Sequence, residues 1–182
     1  MRKIWSVVVL GLCVLATSGM ALAAETAASG KVVVNDGGEY GKYVIQKLQD
    51  PNLGSPEFKA MYKKFSNRIL WLDGKVVKGA GIQMNTAWYF AVPAKDPVFE
   101  EHVHDYDEVV GFYGSNPDDP YDLGGEIEVS INGEKHLINR TTMLYIPAGV
   151  KHMPLSIKKV NRPIFHFSIV ANKEYGSGGA YK

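Results

Sequence analysis

The chain has 182 residues, with 20 Lys plus Arg against 19 Asp plus Glu, and 46% of its residues are hydrophobic. That is globular composition, so collagen, a coiled coil and a wholly disordered chain are excluded, and the length suits one domain with a real core. A formal charge of +1 argues against a nucleic-acid partner, which calls for a clear basic excess.

Met1-Arg2-Lys3 is a short basic start, Ile4 to Ala16 is an apolar or small run, and Ala21-Leu22-Ala23 has the A-x-A shape of a signal-peptidase site. Residues 1–23 therefore read as a secretory signal, which predicts an exported protein, periplasmic or extracellular. The run is shorter than the ~20 residues that span a bilayer, so no stable membrane anchor is expected. Cleavage would remove Cys13, the single cysteine. The mature chain would then have no disulfide and no thiolate, and any metal would rest on histidines and carboxylates.

Residues 24–38 are small and polar and read as a flexible leader. Residues 39–176 read as one domain and residues 177–182 as a loose tail. Ser55-Pro56-Glu57 is a helix start, with Ser at the N-cap and Pro at N1. Phe58, Met61, Tyr62 and Phe65 follow at helical spacing, which predicts a helix over 56–66 that covers an open face of the core. From Arg68 the apolar period becomes two. A hairpin is expected at Asp73-Gly74, followed by a strand whose apolar face carries Ile82, Met84 and Trp88. Further strands are expected at 107–113, 142–146, 153–158 and 164–170. The strongest hairpin signal joins 126–131 to 134–138 through Asn132-Gly133. Such a turn pairs Ile131 with Glu134 and Val129 with His136. Many short strands with regular turns and a single helix predict an all-β sandwich or barrel. Tyr106, Phe112, Tyr113, Trp88 and Phe90 read as core rather than as a substrate cage. Glu126 and Glu128 alternate with an apolar face and read as outward.

The chemistry concentrates in two places. In His102-Val103-His104-Asp105-Tyr106-Asp107-Glu108, two imidazoles at i and i+2 share a strand face. A short return would bring Glu108 to the same point. Imidazole plus carboxylate suits a divalent transition metal. In Pro147-Ala148-Gly149-Val150-Lys151-His152, proline and glycine shape a bend that projects His152.

These two segments resemble the motifs of the cupin superfamily, H-x-H-(x)3–4-E-(x)6-G and G-(x)5-P-x-G-(x)2-H-(x)3-N, over roughly residues 80–170. The departures are Gly114, one residue early, Thr141 in place of the opening glycine, and Ser156 in place of the closing asparagine. The resemblance implies an all-β, cupin-type double-stranded β-helix (jelly-roll) barrel with one short N-terminal helix. It implies a metal held by His102, His104, Glu108 and His152. Three histidines and one glutamate leave one or two coordination positions for water or a ligand. Fe, Mn, Zn, Cu, Ni and Co all accept this set. Residues 115–125 form an inserted loop between the motifs. His136 reads as structural, whereas His166 and Ser168 lie on a late strand that, in cupin order, crosses the barrel and can face the cavity.

Three functions follow from this reading. The first is an exported metal-dependent enzyme on a small-molecule substrate, dioxygenase-like or a lyase or decarboxylase, with His166 or Tyr106 as proton-transfer partner. The second is a non-catalytic protein that binds a small molecule or the metal itself. The third is a structural barrel with no occupied site. Pairing into a homodimer through barrel edges, with residues 68–90, is compatible with the resemblance.

Overall fold

The structure is a computed structural model and describes residues 34–173. The expected signal, the leader up to residue 33 and the tail lie outside the described residues. No helix among the described residues is long and apolar enough to cross a membrane.

After a single 3-10 turn at Gly41–Tyr43 comes the α-helix α1, Pro56–Tyr62. Ser55 Oγ accepts from Phe58 N, Pro56 sits at N1 and Glu57 is in the first turn, as the sequence predicts. The helix is shorter than expected. It closes through Lys63 and Lys64, whose amides bond back to Lys59 and Met61, and Phe65 is reached by the turn that enters the first strand. The expected role holds. Phe58 and Tyr62 are buried, and an aromatic chain runs Phe58–Tyr62–Phe65–Tyr89 with ring centroids 5.8, 5.2 and 5.9 Å apart.

Eight strands follow: β1 Ser66–Leu72, β2 Gln83–Tyr89, β3 Glu108–Tyr113, β4 Asp122–Ile131, β5 Glu134–Arg140, β6 Thr142–Ile146, β7 His152–Val160 and β8 Ile164–Val170. They form two antiparallel sheets, ordered β1-β2-β8-β3-β6 and β5-β4-β7. Side chains of both sheets share one core, among them Val110, Phe112 and Ile164 from the first and Ile127, Val129 and Leu155 from the second. This is the jelly-roll arrangement that the two motifs imply.

The Asn132-Gly133 turn is as read. Both residues have positive φ, 49° and 84°, the primed geometry whose twist matches that of the strands. Ile131 pairs with Glu134 and Val129 with His136. Glu126 and Glu128 face outward, toward Lys159 and Lys135.

Two expectations are corrected. No hairpin forms at Asp73-Gly74. Asp73 Oδ1 accepts from the amides of Lys75 and Val76, and its backbone carbonyl accepts from Val77. A capped turn of this kind leads the chain into a longer loop, and β1 pairs with β2 from Leu72↔Met84 onward. The inward face of β2 is also the opposite one. Gln83, Asn85, Ala87 and Tyr89 are buried, whereas Ile82 is exposed and Met84 and Trp88 are only half-buried. Trp88 packs on Phe165 and Tyr113 on Phe167 across the outer face of the large sheet, and Phe90 is exposed. Of the five aromatics read as core, Phe112 alone is fully buried, and Tyr106 is half-buried.

β4 begins earlier than expected, at Asp122, so the inserted loop is shorter. Thr141, in the motif's opening glycine position, ties this loop down: its hydroxyl donates to Pro120 O and accepts from Gly114 N. Gly114 itself lies against the backbone. A Cβ there would sit 1.8 Å from the Asp122 carbonyl oxygen. Gly114→Ala is therefore expected to lower the unfolding free energy by about 1–3 kcal/mol, because backbone must move to admit the methyl group. Chemical denaturation checks this, and a variant as stable as the parent would contradict the packing described.

Candidate metal centre

Alternation within the strands decides what the interior of the sandwich contains. On β3 the inward residues are Glu108, Val110 and Phe112, and on β8 they are Ile164, His166, Ser168 and Val170. Cross-strand register sets them in rows: Ala87, His166 and Phe112 in one, Asn85, Ser168 and Val110 in the next, and Gln83, Val170 and Glu108 in the third. Glu108 thus lies at one end of a graded interior that runs from aromatic to polar.

The His102-x-His104 segment precedes β3 and is held by the backbone of the second motif. His102 and His152 exchange both amide–carbonyl bonds at 3.0 Å, an isolated antiparallel bridge, and Gly149 N donates to His104 O at 2.8 Å. Asp107 fixes the Pro147–Gly149 bend from the other side. Its carboxylate accepts from Tyr145 Oη at 2.7 Å and from Ala148 N at 2.9 Å. Residues 45 and 50 positions apart are therefore locked together at the backbone before their side chains meet.

The side chains then converge. One ligand atom from each of His102, His104, Glu108 and His152 lies within 4.8 Å of the others. His102, Glu108 and His152 are buried, and His104 is 9% exposed. Each histidine sends Nδ1 to a backbone carbonyl: His102 to Glu100 at 3.0 Å, His104 to Tyr106 at 2.6 Å and His152 to Val150 at 2.9 Å. A carbonyl only accepts, so each Nδ1 carries a proton, and in the neutral imidazole Nε2 is the atom left to present a lone pair. The Nε2 atoms of His104 and His152 both stand 3.1 Å from Glu108 Oε2. His152 Nε2 is buried there without an aligned hydrogen bond.

Three lone pairs and a carboxylate facing one another need a cation between them. A divalent transition metal meets that need, and the donor set of imidazole and carboxylate suits Zn, Cu, Fe, Ni, Mn or Co. The residues fit the group. The electrostatics of the protein alone show how strongly these groups act on one another. Burial by itself raises the Glu108 carboxyl, but His104 and His152 outweigh it and bring the pKa down to about 2, so the carboxylate stays ionised. Burial lowers His102 and keeps it neutral. His152 is pulled down by burial and raised further by Glu108 and the Val150 carbonyl, with a net rise.

The cluster opens on a cavity lined by Tyr62, Arg68, Asn85, Phe99, His102, Glu108, Val110, Met153, Leu155, His166 and Ser168. Its water-reachable space is about 30 Å³. His166 does enter this cavity, together with Ser168. Its Nδ1 donates to Gly111 O at 3.1 Å, and its ring is stacked between Tyr89 and Phe112 at 4.9 and 5.2 Å. Burial drives its pKa down to about 4, with the Gly111 carbonyl and Glu108 opposing and Arg68 adding to the fall. Tyr106 does not line the cavity. It lies flat on the His104 ring, 4.0 Å between centroids and 10° between planes, and buttresses that ligand. His136 is half-exposed near Glu134, away from the cluster.

Two cavity residues escape the sequence reading, Arg68 and Asn85. β1 carries a bulge at Ile69, which opposes no residue of β2, and this lets Ser66 and Arg68 share the inward side with Trp71. Asn85 sits on the face of β2 whose polar side chains read as outward. The available signal was the pair Gln83 and Asn85 at strand spacing, beside a strand that supplies His166 and Ser168.

No family model and no curated protein matches the chain. Among solved structures, an oxalate oxidase in complex with the substrate analogue glycolate is similar, with 15% identity and a TM-score of 0.44, over 72% of this chain and 59% of that one. A recombinant oxalate oxidase with glycolate gives 16% and 0.45, over 74% and 62%. An RmlC-like cupin from Shewanella frigidimarina NCIMB 400 gives 11% and 0.36, over 62% and 78%. The chain spans about three fifths of the length of the oxalate oxidase chains it matches. These are partial overlaps of shape. The chain's own two antiparallel sheets and its converging ligand set give a jelly-roll fold with a candidate metal centre where the two motifs lie.

His166 gives a pH test. Its folded pKa lies below the unfolded value, so between about 6.5 and 4 the unfolded chain binds more protons there and folding loses stability as pH falls. The loss is on the order of 3 kcal/mol by pH 4, from ~1.4 kcal/mol per pKa unit. His166→Gln should remove that component. The gap in unfolding free energy between parent and variant should therefore shift in the variant's favour from pH 7 to pH 4. A gap independent of pH would contradict the buried, neutral imidazole.

Proposed function

We propose that the protein is an exported, metal-dependent cupin enzyme that acts on a small molecule, with His102, His104, Glu108 and His152 as the metal ligands. The observation that carries this reading is the convergence of three imidazole lone pairs and an ionised carboxylate at the wall of a cavity. A closed structural site would surround its ion with protein, whereas this one keeps a side toward open space. A divalent transition metal bound there would supply Lewis-acid or, if redox-active, dioxygenase-like chemistry at its free positions.

The chain's own residues do the rest. Glu100, Tyr106 and Val150 carbonyls fix the tautomer and direction of the three imidazoles. Phe99, Val110, Met153 and Leu155 keep bulk water from the reacting molecule. His166 Nε2 is unprotonated and accepts a hydrogen bond from the molecule in the cavity. With a pKa near 4 it is a weak base near neutral pH, so it orients a donor before it takes up a proton. The signal-like residues 1–23 support export, and the small substrate follows from the narrow cavity.

Turnover tests this reading. Protein loaded with Fe, Mn, Co, Ni, Cu or Zn is offered small oxygenated compounds while dioxygen uptake and products are followed. Turnover with at least one metal, abolished by a chelator and lowered at least ~100-fold by Glu108→Gln, is the expected result. Ligand binding without turnover under every loading would instead favour a non-catalytic binding protein.

A further inference from the structure

The cavity holds a second charged feature that the metal ligands do not use. Arg68 reaches it from β1, and its side chain is 12% exposed. In the strand ladder Arg68 pairs with Ala87, and Ala87 pairs with His166. Ala87 is fully buried and has the smallest side chain of that row, so the space over it is open to the long arginine. The guanidinium is aimed by its neighbours. Arg68 Nε donates to Asn85 Oδ1 at 2.9 Å, and the planar group lies 5.1 Å from the Tyr62 ring and 5.4 Å from the Trp71 ring. Among the described residues, the carboxylate in ion-pair range is Asp50, 3.9 Å from Nη1 and largely exposed. That is too long for an N–H···O hydrogen bond and leaves a largely buried positive charge without a close counter-ion.

We infer that Arg68, oriented by Asn85, is a carboxylate-binding group of the cavity, and that the molecule taken there is a small organic acid. The guanidinium fork matches a carboxylate with two parallel N–H···O bonds. Ser168, next to Asn85 in the strand ladder, adds a hydroxyl on the same wall. Val110, Met153 and Leu155 provide an apolar flank for a short carbon chain, which inorganic phosphate lacks. The limited space restricts the acid to a few carbons. This inference rests on the metal reading for the far end of the ligand, which would meet the His102–Glu108 side, and stands on Arg68 for the near end.

The test uses the full mature protein, loaded with Zn and also metal-free. Malonate, glycolate and succinate are the probes, with malonamide as the neutral counterpart of malonate and inorganic phosphate as the non-carbon anion. Calorimetric affinity, melting temperature and Zn per chain are read together. At least one acid should bind and raise the melting temperature, malonamide should not, and phosphate should bind more weakly. Arg68→Met keeps the stem packed on Tyr62 and Trp71. It should weaken the acid about tenfold or more while Zn per chain stays at the parent value. Arg68→Lys should recover part of the affinity, because it restores the charge without the fork. Equal affinity in parent and Arg68→Met overturns the inference, as does binding of none of the three acids or a preference for phosphate. If the parent takes up no Zn but still binds an acid in an Arg68-dependent way, the carboxylate site stands and the metal reading falls.

Discussion

Four acceptors forced together out of water are the constraint on which the rest of this molecule depends. Nε2 of His102, His104 and His152 and the carboxylate of Glu108 meet at one buried point. Each Nδ1 is committed to a backbone carbonyl, so it is the Nε2 atoms that turn toward the carboxylate. Such a group is unfavourable by itself, since taking a carboxylate and three imidazoles out of water costs free energy. It becomes favourable with a cation at its centre. The backbone accepts the arrangement because it is pinned independently of the side chains, by the reciprocal His102–His152 bridge and the Gly149–His104 bond.

The jelly roll turns that local demand into a cavity. Alternation along β2, β3 and β8 sends every second side chain inward, and cross-strand register sorts them into rows. The aromatic row packs His166 between Tyr89 and Phe112 and keeps it neutral. The next row, with Asn85 and Ser168, gives the cavity its polar wall, and α1 closes it with Tyr62. Binding chemistry and core packing are thus neighbouring stretches of one interior.

Much of this was legible in the sequence where chemistry and geometry coincide. The spacing of His102, His104, Glu108 and His152, with the Pro147–Gly149 bend, marked the ligand set because few other folds need that pattern. Asn132-Gly133 marked a hairpin and its register, because Asn and Gly both tolerate the positive φ that a two-residue turn requires. Strands β6 and β8 were read to the residue. What escaped depended on tertiary choices. Apolar alternation placed Ile82, Met84 and Trp88 inward, but the cavity needs polar walls, so Gln83 and Asn85 took that face and Trp88 found Phe165 outside. Asp73 resembled the start of a two-residue turn until its side chain captured two amides. Arg68 gave no signal, because its inward aim is set by a bulge at Ile69 that no local pattern announces.

The account's central claim is that the four side chains exist to hold a divalent ion, and metal content per chain tests it most directly. The protein would be isolated without chelator or affinity-tag metal, and its metals quantified by mass spectrometry beside a His102→Ala, His152→Ala double variant with an unchanged β-sheet spectrum. The account predicts close to one divalent transition-metal ion per parent chain and almost none in the variant. A parent that carries no metal, and takes up none on titration, would contradict it.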